Sequence, residues 1–294
     1  LLGGVFPTAA PEVCFESPMV NMIGVGEGEE TIVTLAEFLQ KGEKQNGEQK
    51  HWRNAQGLGY KVGNKNIINP KALLQDLEPH AYAWDLIDVE KYLNPEFGYK
   101  RVLSYISSKG CPYTCTFCYN VEFNNRRWRG WSSEKVIKDI NYLKEKYDVE
   151  AIYFYDDYYF THKKRVREIA EGIDLPWYGE LRANDIKNDK IREYKKLNAF
   201  GFFFGAESGS ENVLEITSKK IKPTDILDAA RICKEEGISH LRCSFIFFVP
   251  GETIKDINVT VALITKLMRE YPYVVIGIGN YTPYPGVPLS EKAK

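Results

Sequence analysis

From residue 101 onward, the sequence repeats a pattern of short apolar segments separated by amphipathic ones. The apolar segments are rich in aromatic and β-branched residues, as buried strands are, and the segments between them place apolar residues at helical spacing. Strands that alternate with helices form a parallel sheet with right-handed crossovers. We count six such periods, of which we expect the last to be truncated, and they predict a barrel or partial barrel rather than a flat sheet.

The pattern also gives approximate bounds for these elements. Turn residues and helix-capping residues mark the ends of the segments. The predicted strands are 102–107, 151–155, 177–182, 201–206, 240–248 and 274–281, and the predicted helices are 132–146, 163–172, 189–197, 224–236 and 253–270.

Polar or glycine-rich residues follow every predicted strand. In a parallel barrel, the carboxyl ends of the strands meet at one face, and that face carries the chemistry. A helix cap explains one acid or serine in such a place, but it explains less well why each strand end carries polar groups. The polar or glycine-rich residues that follow the second to sixth strands are Asp156-Asp157, Arg182, 205–209, 249–253 and 281–286.

Three cysteines, Cys111, Cys115 and Cys118, follow the first predicted strand with the spacing C-x3-C-x2-C. Thiolates are suitable ligands for zinc or for an iron–sulfur cluster. A closed structural zinc site needs a fourth ligand nearby, and the next candidates are the distant His162 and Cys233. The triplet therefore favours a [4Fe-4S] cluster with one iron left open, and zinc with a distant ligand is the alternative.

Composition excludes several classes of protein. Of the 294 residues, 44% are hydrophobic and 27% are charged, which is typical of a globular protein. The net charge of −1 gives no electrostatic signal for nucleic acid or for an anionic membrane. No apolar run approaches the roughly 18–20 residues of a membrane span. Half of the six cysteines lie in one triplet, so a reducing, cytoplasmic compartment is expected rather than a disulfide framework.

The first hundred residues are less regular and predict two further regions. Residues 1–45 are interpreted as the end of an α/β domain, with a proline-containing turn at 7–11, a strand at 20–26 and a helix at 31–39. Residues 46–100 are interpreted as a hairpin followed by a connector, and 101–294 as the barrel. The glycines at 24, 26 and 28 predict a tight strand-to-helix turn, because the carboxylates after them would repel a phosphate. We expect the chain to be a fragment of a longer protein, cut at both ends.

Several of these segments resemble a known family. The loop 111–118 resembles the cluster signature of the radical S-adenosylmethionine superfamily, with an aromatic residue just before the last cysteine. The segments 205–210, 248–253 and 284–289 resemble later strand ends of that superfamily in order and spacing. Gly3-Gly4 and the segment 26–29 resemble the end of the cobalamin-binding domain in one subgroup, although the histidine motif expected to bind cobalt is not in this sequence.

The resemblance implies an α/β fold: a partial (β/α)6 TIM-like barrel preceded by the C-terminal remnant of a Rossmann-like cobalamin-binding domain. It implies that the three cysteines hold a [4Fe-4S] cluster and that S-adenosylmethionine occupies the open iron, where an electron cleaves it to a 5′-deoxyadenosyl radical. The candidates for binding S-adenosylmethionine are Asp156 or Asp157 for the amino group, Arg182 for the carboxylate, Glu207 and Ser208 for the ribose, and Phe117 and Tyr119 for the adenine. Helix capping, a structural ion pair and loop packing are the alternative roles for these residues.

The resemblance also implies a reaction class. The expected activity is cobalamin-dependent methyl transfer to an unactivated carbon of a small-molecule substrate, with flavodoxin or ferredoxin as electron donor. Cobalamin is expected in the full-length protein. Ring closure or rearrangement by the same type of enzyme is an alternative. A tRNA methylthiotransferase would have a second cysteine triplet and a basic module, which this sequence lacks, and a zinc-stabilised binding protein is the alternative outside enzymes.

Overall fold

The structure is a computed structural model that describes residues 1–41 and 52–292. These residues form two compact units. The first contains 1–41, 52–76, 117–125 and 283–292, and the second contains 77–116 and 126–282. We call the second the barrel unit. The predicted boundary between residues 45 and 46 lies outside the described residues. The predicted division into three domains therefore stays a prediction.

The helices and strands alternate from residue 99 onward as the sequence predicts, with additional short elements between them. In chain order they are α1 (Val5–Ala9), α2 (Pro11–Glu16), β1 (Met22–Gly24), α3 (Glu29–Lys41), β2 (Leu58–Val62), β3 (Lys65–Ile68), β4 (Leu93–Glu96), β5 (Tyr99–Tyr105), β6 (Ser108–Lys109), α4 (Asn120–Phe123), β7 (Arg129–Gly130), α5 (Ser133–Tyr147), β8 (Ala151–Phe154), α6 (Lys163–Ile173), β9 (Trp177–Leu181), α7 (Asn188–Lys196), β10 (Ala199–Glu207), α8 (Glu211–Ile216), α9 (Pro223–Glu235), β11 (His240–Phe247), α10 (Ile254–Glu270), β12 (Val274–Asn280) and α11 (Pro288–Lys292).

The barrel unit is built on one seven-stranded sheet with the order β12-β11-β10-β9-β8-β5-β4. Neighbouring strands from β5 to β12 pair in parallel, and only β4 is antiparallel to its neighbour β5. This is the curled partial barrel of six parallel strands that the sequence predicts, and the predicted fold class is confirmed. The connecting helices begin at side-chain caps where the sequence offers them: Ser132 accepts a hydrogen bond from the Lys135 amide, and Thr253 forms a capping box with Asp256.

The two faces of this sheet carry different side chains. On one face, large residues such as Phe154, Trp177 and Phe202 are buried in the main core, together with apolar residues of the helices. Alternate residues point to the opposite face, which we call the lumen face. There, Tyr178 and Phe200 form a separate apolar cluster with Val102 and Ala151. The lumen face is therefore apolar where these residues pack. The polar side chains of the candidate site lie further along the strands, toward their carboxyl ends.

Two parts of the first hundred residues differ from the sequence prediction. The segment predicted to be a connector contains β4, which adds an antiparallel edge strand to the barrel sheet, and its Leu77 and Val89 are buried in the main core. The predicted turn at 7–11 is instead the two helices α1 and α2. Proline is tolerated in the first turn of a helix, where its missing N–H is not needed. Pro7 therefore lies in the first turn of α1 and Pro11 begins α2, and neither prevents its helix.

The predicted hairpin, strand and tight turn of this region are confirmed. Strands β2 and β3 form the antiparallel hairpin, and β1 pairs with β2. The glycine-rich segment is a tight turn: Gly26 has φ of +93°, and a Cβ there would lie 2.9 Å from the Ala72 carbonyl oxygen. Only glycine fits this close approach without strain.

None of the helices in the described ranges is long and apolar enough to cross a lipid bilayer.

Candidate active site

The part of the cysteine loop that belongs to the barrel unit is fixed at both ends. At its start, Gly110 has φ of +86° and its amide donates a hydrogen bond of 2.7 Å to Asp157 Oδ2, at the end of β8. At its end, the amide and hydroxyl of Thr116 donate to the carbonyls of Thr217 and Ile216, each at 3.0 Å. Contacts to the end of β8 and to the C-terminal end of α8 therefore hold this part of the loop.

The three cysteines differ in their placement. Cys115 is buried and Cys111 is half-buried, both in the barrel unit, whereas Cys118 belongs to the segment 117–125 of the other unit. Over residues 1–41 and 52–292, no group of three His, Cys, Asp or Glu side chains is arranged to hold a metal ion. Ligation of a cluster by Cys111, Cys115 and Cys118 therefore rests on the sequence spacing and stays a prediction.

Asp156 is satisfied by the protein itself. Its carboxylate is 1% exposed and accepts hydrogen bonds from the amide and hydroxyl of Ser107 and from the hydroxyl of Ser108, at 2.6, 2.7 and 2.5 Å. Burial raises the pKa of Asp156 to about 6, although these hydrogen bonds and the nearby Arg165 favour the charged form. With its oxygens bonded in this way, Asp156 ties β8 to the loop after β5 and has little surface left for a ligand.

Arg182, at the end of the next strand, differs from Asp156 because the protein does not satisfy all of its hydrogen-bonding atoms. Its side chain is 4% exposed, and its Nη1 donates to the Cys115 sulfur at 3.8 Å. The guanidinium carbon lies 3.9 Å from the centre of the Tyr113 ring. Its Nε and Nη2 atoms are buried without a hydrogen-bond partner in the described part of the chain. Leaving buried donors unpaired costs about 1–3 kcal/mol each, so these two N–H groups point to an anionic ligand.

Asn184, in the same loop, is a residue that the sequence reasoning missed. Its Oδ1 atom is buried and has no hydrogen-bond partner among the described residues, while its Nδ2 donates only a long hydrogen bond of 3.5 Å to the Lys220 carbonyl. Asparagine after a strand is such a common loop residue that the sequence alone gave no signal for it. The unpaired acceptor and the unpaired donors of Arg182 suit a ligand that is both a donor and an anion, such as an amino acid group.

Glu207 is paired with a residue that the sequence analysis did not select. Its Oε1 lies 2.6 Å from Nζ of Lys219, and both side chains are more than nine-tenths buried. The pair lies over Gly205, where an added Cβ would be only 1.9 Å from Glu207 Oε1. Glu207 itself has φ of 61°, an unusual value for a residue with a side chain. Its Oε2 accepts no hydrogen bond from the described residues, so one carboxylate oxygen is left for a ligand.

Ser208 is committed to the fold. It is 0% exposed, its hydroxyl lies 2.8 Å from that of Thr260, and it accepts the Ser210 amide at 3.1 Å. This geometry ties the loop after β10 to α10 and leaves the hydroxyl no surface on which to meet a ribose. Its predicted role as a cofactor contact is therefore not supported by any exposed atom of its side chain.

The remaining two candidates, Phe117 and Tyr119, lie in the segment 117–125 of the other unit. Tyr119 precedes α4, and its ring lies 6.3 Å from that of Phe123. It helps to line a small cavity of about 210 Å³ within that unit. The proposed contact of these rings with an adenine stays a prediction.

Comparisons with known proteins agree with this arrangement. The chain matches the Radical SAM superfamily over residues 105–264, more than half of its length. It is 32% identical over 302 aligned positions to the uncharacterized methyltransferase PH0819 of Pyrococcus horikoshii, covering all of this chain and 62% of that protein. It is 27% identical over 248 positions to the anaerobic magnesium-protoporphyrin IX monomethyl ester cyclase of Synechocystis, covering 81% of this chain and 48% of that protein.

A solved structure shows the same fold. The radical S-adenosylmethionine methyltransferase TsrM from Kitasatospora setae, determined with cobalamin and a [4Fe-4S] cluster bound, aligns with a TM-score of 0.73 at 16% identity, covering 99% of this chain and 57% of that one. The chain thus spans about half to three fifths of the length of these relatives. The zinc-stabilised binding protein is set aside by the family match. The chain belongs to the radical S-adenosylmethionine superfamily of enzymes.

Proposed function

We propose that this chain carries the cofactor site of a cobalamin-dependent radical S-adenosylmethionine methyltransferase that acts on an unactivated carbon of a small molecule. Membership of the superfamily implies a [4Fe-4S] cluster and S-adenosylmethionine. The observation that carries the proposal is Arg182: a buried guanidinium with two unpaired N–H atoms, placed beside the sulfur of Cys115. Paired N–H donors of arginine match a carboxylate bidentately, and S-adenosylmethionine offers one where it would meet the cluster.

Each residue of the site then has a role that its contacts support. Cys111, Cys115 and Cys118 would hold the cluster, which when bound supplies the electron that cleaves S-adenosylmethionine to a 5′-deoxyadenosyl radical. Asp157 positions the cysteine loop through the Gly110 amide and remains the candidate for the amino group.

The other proposed contacts use side-chain atoms that have no hydrogen-bond partner among the described residues. Arg182 would bind the carboxylate, and Asn184 would accept a hydrogen bond from the amino group. The unbonded oxygen of Glu207 would accept a ribose hydroxyl, while Lys219 holds the other oxygen in place. Asp156 and Ser208 are not carried into this proposal, because the protein itself satisfies their oxygens.

Methyl transfer and cobalamin are supported by the relatives rather than by the site. PH0819 is named a methyltransferase, and TsrM is a methyltransferase with cobalamin bound. Ring closure is the second candidate, because the Synechocystis relative is a cyclase. Either reaction needs a reductant, for which flavodoxin or ferredoxin is the proposed donor. Labelled methyl groups separate the two candidates: only a methyltransferase passes deuterium from methyl-deuterated S-adenosylmethionine to cobalamin or product.

The cluster is tested by replacing one of its proposed ligands. Wild-type protein reconstituted anaerobically with iron and sulfide should bind about four irons per chain and, when reduced, should convert S-adenosylmethionine to 5′-deoxyadenosine. Cys115→Ala should lose both properties, because a cluster with one protein thiolate removed is no longer held. Iron and sulfide analysis, electron paramagnetic resonance and product chromatography measure the effect.

The matched control is Cys233→Ala, which removes a fully buried thiol of α9 that packs in the main core. It should keep the iron content and the cleavage activity of the wild type. Full cleavage by the Cys115 variant would refute the proposed cluster site, and so would zinc without iron or sulfide in the wild-type protein.

A further inference from the structure

A second set of charged groups lies on the lumen face of the barrel sheet, below the strand ends. Strand register places Glu180 of β9 beside Phe203 of β10, Phe203 beside Arg242 of β11, and Arg242 beside Val275 of β12. The residues that flank Glu180 and Arg242, such as Leu181, are buried in the helix-side core. Because neighbouring residues of a strand alternate between faces, Glu180 and Arg242 share the lumen face and stand on either side of an aromatic ring.

These groups are only partly satisfied by the protein. Oε1 of Glu180 accepts a hydrogen bond of 3.1 Å from the Tyr153 hydroxyl, and Oε2 has no hydrogen-bond partner in the described ranges. The guanidinium of Arg242 is exposed and lies 6.0 Å from the centre of the Phe203 ring. It forms no ion pair or hydrogen bond with any residue that the structure describes. A carboxyl and a guanidinium with free atoms thus face one lumen.

Beyond Arg242 and Val275, three of the next four lumen-facing positions of β11 and β12 carry small residues. Further along β11 and β12, Ser244 pairs in register with Gly277, and Ile246 pairs with Gly279. A Cβ added to Gly279 would meet nothing within 4 Å, and one added to Gly277 would be 3.4 Å or more from its neighbours. The small residues Ser244, Gly277 and Gly279 leave room on the lumen face beyond the guanidinium, as a binding site requires.

We propose that the lumen face around Glu180, Phe203 and Arg242 is the substrate subsite and that it takes a small molecule with an anionic group, carboxylate or phosphate, bound to Arg242. The planar or apolar part of that molecule would lie against Phe203, and a polar group would form a hydrogen bond with the free oxygen of Glu180. The inference rests on the proposed function, since it assigns the carboxylate of S-adenosylmethionine to Arg182 and leaves Arg242 for a different anion. It adds a substrate class that the family match does not supply.

Phenyl phosphate and benzoate are suitable probes, because each joins one anionic group to one aromatic ring. We expect anaerobically reconstituted wild-type protein to bind at least one of them saturably in calorimetric or ligand-observed NMR titrations. The neutral analogue benzamide should not bind measurably. Arg242→Met, which keeps the apolar stem and removes the charge, should weaken binding by about 10- to 100-fold, as expected for hydrogen bonds to a charged group. Comparison of the two probes separates a phosphate from a carboxylate site.

The matched control is Arg192→Met, which removes an arginine exposed on α7 and paired with Glu236; its probe affinity should equal that of the wild type. Equal binding by Arg242→Met, or no saturable binding of either anion to the wild type, would overturn the proposal. The wild type is also assayed for cleavage of S-adenosylmethionine without substrate. If cleavage occurs but no anion binds, the subsite proposal fails while the proposed function stands. Anion binding that depends on Arg242 supports the subsite even where cleavage is absent.

Discussion

The charged groups of the barrel unit form two sets, which differ in whether the protein satisfies them. In the first set, Asp156 accepts three hydrogen bonds from serines, and Glu207 is paired with Lys219 at 2.6 Å. In the second set, Arg182 keeps two buried N–H atoms without partners, and Arg242 has no ion pair among the described residues. Both sets lie on neighbouring strands of one sheet, so the difference does not arise from location in the fold.

The difference shows which charges the chain itself compensates and which await a ligand, with Glu207 keeping one oxygen for a ligand beside its pairing with Lys219. Removing a charge from water costs several kcal/mol, so a buried charge persists only where something compensates it. In the first set the compensation is within the chain, and breaking it should lower stability. In the second set, Arg182 is only partly compensated by the described residues, while water solvates the exposed Arg242. Removing either group should therefore reduce binding with little loss of stability. The following variants test this division, from the largest expected effect to the smallest.

Lys219→Met should have the largest effect on stability. It removes the cation from a buried pair and leaves the Glu207 carboxylate without its partner, which typically costs about 3–5 kcal/mol. We expect a decrease of that size in the free energy of unfolding, measured by denaturant titration of the cluster-free protein. The double variant Glu207→Gln/Lys219→Met should recover part of the loss, because no unpaired charge remains.

Lys220→Met is the control for that measurement, because Lys220 is the adjacent residue and is exposed. It should unfold like the wild type, within about 0.5 kcal/mol. If the Lys219 variant also unfolded like the wild type, the Glu207–Lys219 pair would not belong to the stabilising set.

Arg182→Met should behave in the opposite way. The variant should bind S-adenosylmethionine about 10- to 100-fold more weakly in equilibrium dialysis, since it loses charge-assisted hydrogen bonds. Its thermal unfolding without cofactor should be unchanged or occur at higher temperature, because it no longer buries two unpaired donors. Arg231→Met, an exposed arginine of α9 paired with Glu235, is the control for charge removal. A large loss of stability with unchanged affinity would move Arg182 to the structural set.

This division could be only partly predicted from sequence. The six parallel strands and the five predicted helices between them lie within a few residues of their predicted bounds, because their apolar periodicity and caps are local signals. The short elements β6, α4, β7 and α8 were not predicted. The strand ends that carry Asp156, Arg182 and Glu207 were predicted for the same reason. Which of these side chains is satisfied was not predictable, since that depends on partners far away in sequence. Asp156 meets serines 48 and 49 residues away, and nothing in the sequence around Glu207 marked Lys219 as its partner.

The wrong prediction of an irregular connector in the first hundred residues has a similar cause. Strand β4 is short, and two of its residues, Asn94 and Pro95, are poor strand formers. It forms because β5 offers it an open edge, with pairing from Leu93 to Glu96. Tertiary pairing therefore overrides the local signal that favoured an irregular connector.

Glu180 allows the finest test of the comparison, because it has one bonded and one free oxygen. Burial raises its pKa to about 7, while the Tyr153 hydrogen bond and Arg242 act against this and the nearby Asp156 and Asp157 add to it. The folded protein therefore keeps the carboxyl protonated up to about pH 7, whereas the unfolded chain loses that proton near pH 4.5. Stability from this group is present below pH 4.5 and is lost as the pH rises to 7, by about 1–3 kcal/mol in total.

Glu180→Gln cannot ionise, so it should remove this loss, and the difference in unfolding free energy between variant and wild type should grow as the pH rises from 4.5 to 7. The difference is more informative than either curve, because Asp156, whose pKa is also raised, weakens the fold over part of the same range. His240 acts in the opposite direction, since burial lowers its pKa. Both contributions cancel in the comparison. A flat difference would mean that Glu180 ionises as readily in the folded protein as in the unfolded chain, and hence that the lumen compensates its charge.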